Sequence, residues 1–69
     1  MKFETWIKRQ KHRDDPIGDL AKDFIDGQKI KPSKTVKESL QNFHASYEAW
    51  NTLKEAEIEF YGHSQDEEE

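Results

Sequence analysis

The stretch "RDDPIGDLAKDF", Arg13 to Phe24, crowds charged groups around a proline and a glycine. Carboxylates grouped in this way serve acid/base chemistry, a metal site or the opening of a helix. Proline suits the first position of a helix, where its missing N–H is not needed, and an aspartate directly before it is a good cap acceptor. Asp15 and Pro16 therefore read as cap and first turn, and Asp19 as a first-turn acid favoured by the helix dipole. Behind them Ile17, Leu20, Ala21, Phe24 and Ile25 recur at i, i+3, i+4, i+7 and i+8, the spacing of an amphipathic helix. Gly18 inside that helix costs roughly 1 kcal/mol relative to alanine. It implies close approach by another backbone or a large ring, with Trp6 the expected neighbour. Arg13 is then within reach of Asp15 or Asp19.

Working outward, Phe3, Trp6, Ile7 and Gln10 fall at helical spacing, and Glu4 precedes Lys8 by four residues in the favourable ion-pair order. This predicts a short first helix, followed by a polar, basic connection at 11–14. Asp26 and Gly27 supply a stop for the second helix. The loop at 28–34 has one apolar residue, Ile30, expected to tuck beneath it, and Pro32 biases Lys31 toward an extended conformation. Thr35 to Glu38 has the T-x-x-E capping-box form, so a third helix should start near Val36 and bury Val36, Leu40 and Phe43. Ser46 caps a fourth, in which Ala49, Leu53, Ala56 and Phe60 form an apolar stripe beside Trp50. "NFHASYEAW" contains neither Gly nor Pro, so helices three and four read either as separate or as one bent helix. The expected fold is all-α, a small four-helix bundle over residues 1–61. Residues 62–69, "GHSQDEEE" from Gly62 onward, carry a run of acids and no apolar residue, and are expected to form a disordered tail.

Phe3, Trp6, Gln10, Arg13, Asp15, Pro16, Gly18, Asp19, Leu20, Ala21 and Asp23 spell F-x2-W-x3-Q-x2-R-x-D-P-x-G-D-L-A-x-D. Over residues 3–26 this resembles the YozE family of small bacterial proteins. The resemblance implies a four-helix fold similar to a sterile alpha motif (SAM) domain, with no established activity. The chain departs from the pattern after the second helix, with Ile30, Lys31 and Pro32 where members carry a Phe-Pro pair. The family's closing Ala-Trp pair and aromatic correspond either to Ala49 and Trp50 or to Ala56, Glu57 and Phe60.

At 69 residues the chain makes one domain, and a chain of that size buries only about 60% of the surface it exposes when unfolded. It has no cysteine, so disulfides, thiolate metal sites and thiol nucleophiles are excluded, and packing alone holds the fold. No apolar run is long enough for a membrane span or a signal peptide, which points to a cytoplasmic protein. The net charge of −4 hides a split: residues 1–37 carry ten Lys/Arg against six Asp/Glu, and residues 38–69 one against nine. Such a division predicts a basic face and an acidic face or tail.

Asp15, Asp19 and Asp23 lie four apart and share a helix face, the geometry of a carboxylate metal site or acid/base pair. No histidine or further carboxylate motif completes a ligand set, so a solvated helix face is the reading adopted. His12, His44 and His63 are isolated from one another, the serines have no nucleophile elbow, and the glycines form no phosphate loop. An enzyme, a cofactor and a metal are not expected. The basic string Lys8, Arg9, Lys11, His12 and Arg13, with Lys29, Lys31, Lys34 and Lys37 later, is the one feature suited to nucleic-acid phosphates. Tyr47, Ile58 and Tyr61 lie off the apolar stripe of helix four; they either pack under helix one or form a ridge for a partner. These features describe a non-catalytic interaction module whose partner is a protein or a second copy, joined through basic and acidic faces. Nucleic-acid binding by the basic half is the alternative function, and neutralisation of the two faces within a monomer is the alternative use of the charge.

Overall fold

The computed structural model describes residues 1–64. Four helices make up an all-α bundle: α1 (Phe3–Arg9), α2 (Pro16–Ile30), α3 (Val36–Asn42) and α4 (Tyr47–Ser64), with a 3₁₀ turn, Gln10–His12, after α1. The central element is α2, which packs against the other three. Its buried Ile17, Leu20, Ala21 and Phe24 meet Phe3 and Ile7 of α1, Val36 and Leu40 of α3, and Leu53, Ala56 and Phe60 of α4 in one core. Ile7 and Ala21 are completely enclosed.

Local chemistry sets the start of each of the last three helices. Gly18 N–H donates to Asp15 Oδ1 at 2.9 Å, Glu38 N–H to Thr35 Oγ1 at 3.0 Å, and Ala49 N–H to Ser46 Oγ at 3.3 Å, each satisfying an N–H that the first helical turn leaves unpaired. The Glu38 carboxylate reaches back to the Lys34 N–H, at 2.8 Å, one residue further than a capping box requires. Glu4 turns away from Lys8 and accepts from the Val36 N–H at 3.3 Å, tying α1 to the start of α3.

The stop expected at Gly27 is corrected: α2 continues to Ile30 with Gly27 buried in it. Pro32 is the terminator, because the residue before a proline is pushed out of the α region, and Lys31 has φ −143° and ψ 95°. The Gln28 side chain then clasps the turn, donating to the Ser33 carbonyl at 2.9 Å and accepting from the Ser33 N–H at 2.7 Å. With the loop held by polar groups, Ile30 does not tuck under it and stands 77% exposed. Helices three and four are separate. His44 breaks them with φ 52°, a left-handed conformation uncommon outside glycine, and Phe43, expected in the core, is the C-cap residue of α3 and stays 43% exposed. The expected tail boundary also moves: α4 carries Gly62, His63 and Ser64 as helix, and residues 65–69 lie outside the described part.

Candidate functional site

Of the opening carboxylates, Asp15 is part of a helix-start lock. Asp15 Oδ1 caps Gly18, while Asp15 Oδ2 accepts from Arg13 Nε at 3.0 Å and from Nη2 at 2.8 Å. Arg13 Nη1 donates to Gln10 Oε1 at 3.3 Å and to a carboxylate oxygen of Glu59 on α4. The Gly18 N–H foremost, and then the guanidinium, hold the Asp15 carboxyl below the ordinary aspartate range; the Glu59 hydrogen bond is the main cause that raises Arg13. Gly18 is indeed a point of close approach, and its nearest contact is the Arg13 backbone rather than the Trp6 ring: an added Cβ would sit 2.0 Å from the Arg13 carbonyl oxygen. Trp6 instead stacks on Phe3 and lies against Phe60, with centroids 5.8 and 5.5 Å apart.

Asp15 is thus the cap of α2, Pro16 its first residue, Gly18 a buried residue of its first turn and Asp19 an acid in that turn. Arg13 leaves the set of partner-binding cations, because Asp15 and Glu59 engage its guanidinium. Glu59 is the participant that the sequence reading missed, since a partner 46 positions away leaves no local spacing signal. Among the described residues no group of three or more His, Cys, Asp or Glu side chains is placed to hold a metal ion, and no described helix is long and apolar enough to cross a membrane.

Two basic patches remain. Lys8, Arg9, Lys11 and His12 surround a shallow depression beside Thr5, with Lys8 Nζ 5.8 Å from the centroid of the Phe24 ring. Lys29, Lys31, Lys34 and Lys37 are exposed around the α2–α3 connection. None of these lysines, nor Arg9, makes an ion pair among the described residues.

The ridge divides. Tyr61 reaches back to Phe3, with centroids 6.2 Å apart, and meets Phe60 edge-on at 4.9 Å, whereas Tyr47 and Ile58 stand 79% and 73% exposed on the outward side of α4. Glu48, Glu55 and Lys54 are exposed on the same helix. The other apolar feature is an open groove of about 360 Å³ between α2, α3 and the start of α4. Leu20, Phe24, Gly27, Ser39 and Leu40 line it, with Ile30, Phe43, Asp23 and Asp26 also among its lining residues. Among the described residues neither aspartate is in an ion pair.

No family model, curated protein or solved structure matches the chain.

Proposed function

We propose that this chain is a non-catalytic interaction module of the cytoplasm whose partner is a second copy of itself. The observation that carries the reading is the outward side of α4, where Tyr47 and Ile58 are exposed beside Glu48 and Glu55, while the opposite charge is concentrated in two basic patches elsewhere on the same chain. Such surfaces pair head to tail; the contact is heterologous, and repetition extends it into open chains unless the rotation closes. Lysine and arginine stems cover apolar surface while their charged heads remain in water, so a basic patch is a suitable cover for the Tyr47 ring and Ile58 bordered by carboxylates. Internal neutralisation accounts for Arg13 and Glu59 alone among the described ion pairs joining the two halves. The resemblance of residues 3–26 to the YozE family brings no activity that competes with this reading.

Light scattering at high protein concentration tests it. An intermolecular charge contact weakens as the Debye length shrinks from about 30 Å at 0.01 M salt to about 10 Å at 0.1 M. The mean mass is expected to exceed the monomer at the lower salt and fall toward it at the higher; a constant monomer mass overturns the proposal.

A second reading rests on the patch around Thr5, where Lys8, Arg9, Lys11 and His12 crowd one short turn. That density of cations suits a phosphate backbone. Fluorescence anisotropy with short duplex and single-stranded probes decides it, because binding would be steeply salt-dependent and abolished on replacing Lys8, Arg9 and Lys11 by Glu. Absence of binding at low ionic strength ends this reading.

A further inference from the structure

Two exposed isoleucines sit in matching surroundings of opposite charge. Ile30, at the end of α2, lies between Lys29 and Lys31, and Asp26 precedes it by four residues; Ile58, on α4, lies between Glu57 and Glu59, and Lys54 precedes it by four. The two segments, Asp26-x-x-Lys29-Ile30-Lys31 and Lys54-x-x-Glu57-Ile58-Glu59, are charge inverses of one another at identical spacing. Each isoleucine is more than 70% exposed, at 77% and 73%, so each leaves most of an apolar side chain in water. Lys54 is, moreover, the one Lys or Arg in residues 38–69, and it makes no ion pair among the described residues.

We infer that α4 of one copy seats on the end of α2 of the next, the two helices parallel, with Ile58 entering the groove between Ile30 and Phe43 and Lys54 meeting Asp26. The inference rests on the self-association proposed above and selects the α2–α3 patch over the one beside Thr5. Residues four apart on a helix lie on one face, one turn apart, so a parallel pair that brings Ile58 to Ile30 also brings Lys54 to Asp26. An antiparallel pair sets Lys54 beyond the end of α2 when the isoleucines meet. Glu59 remains with Arg13 of its own chain. The Phe43 ring packs close over Gly27, where a Cβ would stand 2.9 Å from the ring edge, and the groove lined by Ile30 and Asp26 runs beside that contact. The patch beside Thr5 has no exposed large apolar residue in its lining, so it offers Ile58 nothing to pack against.

The test is charge reversal with complementation. Asp26→Lys places lysines at both positions of the pair, and Lys54→Asp places aspartates at both; each variant alone should repel its own copies and require about tenfold higher concentration to reach half the wild-type mass increase in low salt. Mixed one to one, the two variants complement at both contacts, and the mass increase is expected to return. Both sites are exposed, and far-UV circular dichroism checks that the variants remain helical. If wild type associates but the single variants associate equally well, or their mixture does not recover, the seat is elsewhere and this inference falls while the self-association proposal stands. If wild type stays monomeric throughout, that proposal falls and this one with it.

Discussion

The two glycines inside α2 serve close packing in different ways. At Gly18 the space a side chain would need is filled by backbone: the Arg13 carbonyl oxygen and carbon lie 2.0 and 2.8 Å from an added Cβ. That carbonyl cannot move alone, because the Arg13 N–H is bonded to the Gln10 carbonyl and its side chain is held by Asp15. At Gly27 the space is filled by the ends of side chains, the Phe43 ring edge at 2.9 Å and Ser39 Oγ at 3.3 Å, and the ring is free to swing toward solvent. One helix therefore has a welded junction at its start and an adjustable one near its end.

Gly18→Ala is the strongest test of this contrast. Overpacking against fixed backbone should cost about 2–3 kcal/mol in chemical denaturation, a large part of the stability of so small a domain. A variant as stable as wild type would mean the start of α2 is not welded. For Gly27→Ala the roughly 1 kcal/mol helix preference of alanine over glycine opposes the displacement of one mobile ring. The net change is expected to stay within about 1 kcal/mol; a loss comparable to that at Gly18 would erase the distinction.

The smallest effect is one that acid removes. The Gly18 N–H holds the folded Asp15 pKa below its unfolded value, so the carboxylate's contribution to stability is fully present above the unfolded value, near pH 4, and is lost as pH falls through the folded one. Asp15→Asn keeps an acceptor for Gly18 without titrating. The denaturation midpoint of wild type should exceed that of the variant most at neutral pH, and the gap should narrow below about pH 4. A gap independent of pH would remove the carboxylate charge from the account of the lock.

What could be read from the sequence follows the same division. Pro16, Asp15 and the spacing of Ile17, Leu20, Ala21 and Phe24 act within a few residues, so the start of α2, the caps at Thr35 and Ser46 and the core stripes of the helices were legible, apart from Phe43, which stays 43% exposed at the end of α3. Gly18 announced a close approach but not its partner, because an arginine carbonyl has no sequence signature. Gly27 was misread because glycine marks helix ends and tight packing alike, and only the Phe43 ring decides between them. Ser46 announced a fourth helix, but the residue that breaks the chain before it did not show, because a left-handed histidine stands there without being marked by glycine. As for the candidate surface, helical period set Tyr47 and Ile58 off the core stripe without saying whether they pack under helix one or face outward, and the removal of Arg13 from the basic face depended on Glu59, a contact only the folded chain makes.

The reach of that contact orders the steps of folding. α1, the 3₁₀ turn and α2 are neighbours in sequence and close short loops, whereas Glu59 must travel from 46 positions away to meet Arg13. Loop-closure entropy makes such non-local pairings slower to form than local ones. The N-terminal hairpin is accordingly expected to become native-like first, with α4 docking afterwards onto a surface prepared for it. Arg13 faces both events, first closing the hairpin through Asp15 and then anchoring the last helix to arrive.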